Sequence, residues 1–289
     1  MIIVTGNRGF IGSELTAYLE SQGKKVHAMD WADRGKTYTL DEPLEWIFHM
    51  GAISETNVFD WQALVNKNVE DMQRWIRFAE QQGCGITYAS SASVYGPWSD
   101  SPEWGPFQPQ HPYGVSKITI DMRCAENDFK VPVQGVRFFN VYGRNEGHKG
   151  QPSPVHRYIK SAITTRQLVV WHHEGRLGSR DFISVDDCIQ AMVRLKESQA
   201  TGVFNVSTGK QLTFEDIARL VHKHIGIENA QILVTHMPTN MVDKYQWESC
   251  ANLNRLKQTI PDWNPDTVEQ WLEKNWDSLY NKIVKETFR

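Results

Sequence analysis

The sequence predicts an α/β fold: a doubly wound parallel sheet followed by a smaller C-terminal α+β domain. Three observations carry this prediction. The first half alternates short apolar runs with stretches of helical period, which is how successive parallel β-α-β units read. The first apolar run passes through closely spaced glycines straight into the first helix. From about Gly143 the alternation stops, and a polar loop bounded by glycines and prolines leads into isolated helix and strand signals.

The elements follow in order. Residues 1–5 read as a buried strand, and residues 11–22 as a helix that ends near Gly23. Residues 25–30 form the next strand, and 46–50, 86–90 and 133–138 are further strands of the same sheet. Helices over 66–82 and 116–128 lie between them. The interval 31–45 is short and polar, with little room for a complete β-α unit. Residues 143–150, with Pro152 and Pro154 behind them, form a loop; 155–165 is a helix and 203–206 one more buried strand. Thr213-Phe-Glu-Asp216 has the form of a capping box ahead of Ile217, Leu220 and Val221, and so starts a helix. The boundaries divide the chain into a dinucleotide-binding domain, 1–142 plus about 183–207, and a substrate-binding domain, 143–182 and 208–289, that wraps back onto it.

The bulk properties narrow the function. The chain has 289 residues, 40% of them hydrophobic, enough for a sizeable core, and a net charge of −3. With no basic excess, nucleic acid is not an expected partner. Cys84, Cys124, Cys188 and Cys250 are widely spaced and form no C-x-x-C pair, so reduced thiols in a cytoplasmic protein are expected, not disulfides or a metal site. No apolar stretch approaches the length of a membrane span, and the strand beginning at Met1 leaves no room for a signal peptide. The 11 tryptophans are many, and their spacing explains nothing.

Gly6-Asn7-Arg8-Gly9-Phe10-Ile11-Gly12 follows the first strand and opens the first helix. Glycines there allow a tight turn, close approach of backbone to a pyrophosphate and close helix-strand packing, while the helix N-terminus supplies N–H groups and a positive dipole end. Three glycines can also be a plain turn. The strand-loop-helix context and an acid at the end of the second strand make it a Rossmann-type dinucleotide site. That acid is Asp30, followed by Trp31, where a carboxylate accepts hydrogen bonds from ribose hydroxyls and favours NAD. Arg8 inside the loop, with Arg34 and Lys36 after the strand, suits a 2′-phosphate and tips the expectation to NADP, with NAD the alternative. Tyr113-Gly-Val-Ser-Lys117 places a phenol and an ammonium on one helix face. A nearby cation stabilises a phenolate, so Lys117 is expected to lower the Tyr113 pKa towards that of a working general base. Ser91, at the end of a predicted strand, can hydrogen-bond the reacting hydroxyl.

T-G-N-R-G-F-I-G, S-S-A-S-V-Y-G, Y-G-V-S-K, R-F-F-N-V-Y-G and R-D-F-I-S-V-D-D occur in this order. Together they resemble the extended short-chain dehydrogenase/reductase (NAD-dependent epimerase/dehydratase) enzymes that act on nucleotide sugars, over nearly the whole chain. The resemblance implies Tyr113 as acid/base, Lys117 as its tuner and ribose ligand, and Ser91 as orienter. It further implies cofactor contacts from Gly6, Arg8, Gly9, Phe10, Ile11, Gly12, Met50, Gly51, Ala52 and Asn68. A homo-oligomer acting on a nucleotide sugar is expected.

Within that family the dehydratases carry an Asp-Glu pair, and the decarboxylases a glutamate, just after the serine. Here Ala92 and Ser93 stand there, which leaves epimerase or ketoreductase chemistry. Asn140-Val-Tyr-Gly-Arg-Asn-Glu-Gly-His-Lys149-Gly150 resembles the F-N-V-Y-G-P-R-E-G-H-K-G of the ADP-glyceromanno-heptose 6-epimerases; Ile47-Phe-His-Met-Gly-Ala52, Tyr88-Ala-Ser-Ser-Ala92 and Lys244-Tyr245-Gln246 are further echoes. The resemblance implies Lys149 as a second acid/base opposite Tyr113, because hydride return to the other face of a rotated ketone leaves its oxygen pointing away from the first base. Substrate contacts are expected from Ser91, Asn140, Gln151, Tyr158, Arg180 and Tyr245. Trp171-His-His-Glu174, Gln151 and Met50 depart from the heptose pattern, so a nucleotide-hexose 4-epimerase or ketoreductase is the alternative, and a non-catalytic dinucleotide sensor a remote one. His172 and His173 receive no role.

Overall fold

A computed structural model of the chain describes residues 1–33, 42–98, 100–125, 129–242 and 245–288. Its order follows the apolar runs. β1 (Ile2–Thr5) leads through the glycine loop into α1 (Phe10–Ser21), and β2 (Val26–Met29) follows. β3 (Trp46–His49) comes next, then α2 (Trp61–Leu64), a π-helical segment over Val65–Glu70, and α3 (Asp71–Gln82). β4 (Gly85–Ser91), α4 (Pro112–Ala125) and β5 (Val133–Phe138) complete the first half.

Beyond them lie β6 (Asn140–Tyr142), α5 (Pro154–Thr164), β7 (Gln167–His173), β8 (Arg176–Leu177) and β9 (Ser179–Ser184). α6 (Val185–Ser198) and β10 (Gly202–Val206) return to the first sheet. β11 (Gln211–Thr213), α7 (Phe214–Ile225), β12 (Gln231–His236), α8 (Thr239–Val242), β13 (Glu248–Ser249), α9 (Asn254–Thr259) and α10 (Val268–Thr287) finish the chain.

The main sheet has the order β10-β5-β4-β3-β1-β2, with every pair parallel. This is a doubly wound sheet in which β1 is flanked by β2 on one side and β3 on the other. The chain reverses direction across β1, and the crevice outside the carboxyl ends of β1 and β3 is the switch point where such sheets bind ligands. Strands β1, β3 and β5 are buried along their whole length, as expected when helices cover both faces.

One apolar cluster (Phe10, Leu15, Phe48, Val136, Met192, Phe204) and another (Ile3, Ile47, Ile76, Ile86, Ile120) are separate from a third, built from Tyr142, Tyr158, Phe182, Val221, Trp271 and Leu279 under two smaller sheets. In one small sheet β9 pairs with β6, β11 and β13; in the other β7 pairs with β12 and β8. Three of the 11 tryptophans find a reason here. Trp46, Trp263 and Trp271 are buried, and each indole N–H donates to Thr87 Oγ1, Ser207 O or Asp186 Oδ2 at 2.9, 3.1 and 2.7 Å. The capping box at Thr213 and Asp216 is formed as read. The helix expected over 116–128 instead begins four residues earlier, at Pro112, so that Tyr113 stands in its first turn; residues 126–128 lie outside the described residues. The helix expected over 66–82 is interrupted by the π-helical segment. Among the described residues no helix is long and apolar enough to cross a membrane.

Candidate active site

The glycine loop packs directly on the turn after β3. Gly6 has φ +68°, and a Cβ there would fall 2.6 Å from Gly51 Cα; a Cβ on Gly12 would fall 2.1 Å from the Gly6 carbonyl oxygen. Both contacts are with backbone, so a side chain cannot be accommodated. α1 begins behind Gly9 with no side chain capping its first N–H groups, which leaves them to an anion.

A cavity of about 490 Å³ lies at this crevice, lined by Gly6, Gly9, Asp30, Trp31, Met50, Gly51 and Ala52, together with Ile3, His27, His49, Lys67, Trp75 and Phe78. Its size and its largely apolar walls suit a dinucleotide's adenosine half. Lys67 Nζ sits 5.2 Å from the Trp31 ring centroid. His49 is buried and hydrogen-bonded through Nδ1 to Thr5 Oγ1 at 2.8 Å; burial, helped by the charge of Lys117, takes its pKa down to about 3.

The expected catalytic residues meet where β4 ends and α4 begins. α4 turns one face inward, with Tyr113, Lys117, Ile120, Asp121 and Cys124 all buried at helical spacing. Lys117 Nζ donates to the Ala89 carbonyl at 2.8 Å and lies 5.7 Å from the Tyr113 ring centroid. Burial lowers the lysine's pKa to about 8, against the pull of Asp121. Tyr113 does not follow the expectation of a lowered pKa. Burial pushes its phenol up to about 12, and the hydrogen bond with Ser91 only partly offsets this. Desolvation of a phenolate outweighs a cation whose ammonium is aimed at a carbonyl.

Asn68, on the π-helical segment, donates from Nδ2 to Ile53 O and Ser116 Oγ, both at 3.0 Å, and accepts from Ile53 N–H at 2.8 Å. Ser116 in turn donates to the Tyr113 carbonyl at 2.7 Å. Asn68 therefore joins the turn after β3 to the first turn of α4. A π-helical bulge commonly marks a functional position.

Behind this group lies a polar network that sequence reasoning missed. Asp121 accepts from Tyr88 Oη (2.9 Å), Ser90 Oγ (2.7 Å) and Arg137 Nε (2.7 Å). Arg137 Nη1 donates to Tyr95 Oη at 2.7 Å and to Glu103 O at 2.9 Å, and Tyr95 donates to Asn205 Oδ1 at 2.6 Å. Asp121 falls one turn after Lys117 on the same face, a spacing that the sequence does carry.

The other expected residues are dispersed. Lys149 Nζ lies 3.7 Å from Glu146 Oε2 and 5.0 Å from the Phe10 ring centroid; no contact among the described residues joins it to Tyr113. Phe10 is buried in the apolar interior, and Ile11 is partly buried against it. Arg8 is exposed and lines a separate cleft of about 580 Å³ with Ser13, Asn145, His148, Lys282 and Glu286, away from the cavity that holds Asp30 and Trp31. Arg34, Lys36 and Lys244 lie outside the described residues.

On the second sheet Arg180 is buried, its guanidinium 5.2 Å from the Tyr245 ring and 5.4 Å from Phe214. Tyr245 also meets Trp247 edge-on at 4.9 Å. Tyr158 is buried nearby beside Arg157, and burial takes its phenol up to about 12. Asn140 Nδ2 donates to Asp181 O at 3.1 Å, and exposed Gln151 accepts from Thr56 Oγ1 at 3.3 Å. Among the described residues no cluster of three or more potential metal ligands occurs.

A glycine cradle at a sheet switch point, joined to a Ser-Tyr-Lys group at the end of β4, defines a nicotinamide-dependent enzyme class, and comparison agrees. The profile of the NAD dependent epimerase/dehydratase family matches residues 2–207, and the chain belongs to that family. A relative described as ADP-L-glycero-D-manno-heptose-6-epimerase from Alkalilimnicola ehrlichii is 30% identical, with 96% of this chain and 97% of the relative covered. Among solved structures, the Helicobacter pylori ADP-L-glycero-D-manno-heptose-6-epimerase superposes with a TM-score of 0.81 at 22% identity, covering 99% of this chain and 95% of that one. A UDP-N-acetylglucosamine 4-epimerase from Methanobrevibacter ruminantium M1 also gives 0.81, at 21% identity and coverage of 99% and 98%. These structural likenesses establish the fold.

Proposed function

We propose that the chain is a nucleotide-sugar epimerase that inverts a carbinol by transient oxidation and re-reduction, and that its sugar is an ADP-linked glycero-manno-heptose. The observation that carries the reaction type is the Ser91–Tyr113–Lys117 group at the end of β4, with Ala92 and Ser93 where elimination or decarboxylation needs acids. The heptose rests on the Asn140–Gly150 segment and on the 30% identity to the Alkalilimnicola ehrlichii relative.

The residues present fit a dinucleotide, since Gly6, Gly9 and Asp30 line the cavity at the switch point and no side chain caps the start of α1. Bound nicotinamide supplies a hydride acceptor, the same hydride returned, and a positive ring charge in its oxidised form. Tyr113 takes the carbinol proton, Ser91 holds the same oxygen, and Lys117 steadies the phenolate from within α4. Lys149 would give a proton to the carbonyl oxygen on the side opposite Tyr113. Arg180, flanked by Tyr245, takes the diphosphate through its planar fork. Asn140, Gln151 and Tyr158 line the sugar's path. Residues 1–142 with 183–207 hold the cofactor, and 143–182 with 208–289 hold the sugar nucleotide.

Arg8 favours NADP and Asp30 favours NAD. The expectation from the loop is NADP; Asp30 lines the main cavity, which we read as support for NAD. A thermal shift larger with NAD than with NADP supports this, and the reverse contradicts it. Unbonded cysteines suit a reducing, cytoplasmic setting, in which a homo-oligomer is the expected state.

The test of the function is an NMR assay of the purified protein with ADP-glycero-manno-heptose, UDP-glucose and UDP-N-acetylglucosamine. Inversion at C6 of the heptose alone is the expected outcome. Inversion at C4 of a UDP-sugar would replace the heptose by a hexose, and net consumption of reduced cofactor would make the enzyme a ketoreductase.

A further inference from the structure

The segment that joins β6 to α5 is organised by one carboxylate. Glu146 is fully buried. Its Oε1 accepts from Gly143 N–H at 3.2 Å and Ser153 Oγ at 2.6 Å, and its Oε2 accepts from Ser153 N–H at 2.6 Å. The carboxylate thus staples both ends of the segment, and Ser153, which it holds, is also the N-cap of α5. Such a buried charge is costly unless paired. The cation that meets it is Lys149, 3.7 Å from Oε2, whose own backbone N–H donates to the Glu146 carbonyl at 3.0 Å.

The same ammonium lies 5.0 Å from the centroid of Phe10, the first residue of α1. Lys149 is therefore held between a fixed carboxylate and a fixed ring of the dinucleotide loop. From outside, Glu286 of α10 packs on Gly147, where a Cβ would fall 2.0 Å from its Oε2, and lies 3.5 Å from His156 Nε2. The segment is braced on both sides, while the Lys149 side chain keeps 30% of its surface accessible.

We propose that Glu146 is a positioning residue for the inversion step: its buried carboxylate holds the Lys149 ammonium where the second proton transfer requires it. This rests on the reading of Lys149 as the second acid/base. A cation beside the carboxylate offsets the cost of its burial in either role; what stapling alone does not require is that the same ammonium also rest on Phe10 at the start of α1.

The experiment compares Glu146→Gln, Ser153→Ala, Lys149→Met and the Glu146→Gln/Lys149→Met double variant. It measures kcat and KM for ADP-glycero-manno-heptose, together with the melting temperature of each. Glu146→Gln should lower kcat on the order of 10²-fold, the scale of a misplaced catalytic group, with little change in KM. The double variant should be no slower than Lys149→Met alone, because two residues that act through one proton transfer are not additive. Ser153→Ala, which loosens the staple and spares the ion pair, should retain most of kcat. Wild-type kcat in Glu146→Gln, an equal loss in Ser153→Ala, or an undiminished effect of Glu146→Gln in the Lys149→Met background would each overturn the proposal. Full activity in Lys149→Met would instead remove the second-base reading itself, a distinguishable result.

Discussion

Tyr113 and Lys117 are both buried, and burial moves the phenol up to about 12 and the ammonium down to about 8. Lys117 is charged below about pH 8, so the free enzyme's kcat/KM should fall as pH rises through that value. Lys117→Arg, which stays charged, should lack this alkaline limb even if its overall rate is lower. A limb that persists unchanged would assign it to another group. His49 makes a stability prediction. Its folded pKa of about 3 lies below its unfolded 6.5, so between these values the unfolded chain binds the extra proton and stability is lost as pH falls from 6.5 towards 3, at about 1.4 kcal/mol per pH unit. Urea midpoints at pH 7.5 and 4.5 should differ less for His49→Gln than for the parent. The Y-x-x-x-K pair and the glycine loop were legible because each is local, with its function set by spacing along one turn or helix. The height of the Tyr113 pKa was not, since it depends on how far β4 and α4 exclude water.

At the scale of elements, β4, α4 and β5 are locked by the Asp121–Arg137 pair, whose side chains are 0% and 2% exposed. Arg137→Met leaves Asp121 buried and unpaired and should cost about 3–5 kcal/mol in urea unfolding, with Ser90 and Tyr88 loosened beside Ser91. A loss below about 1 kcal/mol would mean that Asp121 takes up a proton or reaches water instead. The strands of the main sheet were readable because they are continuous apolar runs. The strands around β9 were not: β6, β11 and β13 are two or three residues long, too short for any period to show. β7 and β12 escaped for another reason, because their exposed Val169 and Val234 blur the alternation of buried and solvent-facing positions. Glu146 was hidden in the same way, as a buried carboxylate within a run of residues that otherwise reads as a solvated loop.

For the whole molecule, the sheet order determines where chemistry can occur, since the reversal across β1 opens the crevice that the glycine loop lines. The C-terminal helix is tied to α6 and to the segment after β6. Trp271 of α10 donates to Asp186, Asn275 accepts from Arg144, and Glu286 packs on Gly147 beside the Lys149 segment. Thr56 reaches Gln151 from the turn after β3. The start of α1, the Lys149 segment and α10 thus form one connected assembly, as an enzyme requires if a hydride is to leave one face of a carbon and return to the other without losing the ketone. The most direct measurement runs the reaction in deuterated water and reads the inverted carbon by NMR. Internal hydride return predicts an inverted product carrying no deuterium at that carbon. Deuterium at the inverted carbon would contradict transient oxidation and make proton abstraction from carbon the mechanism.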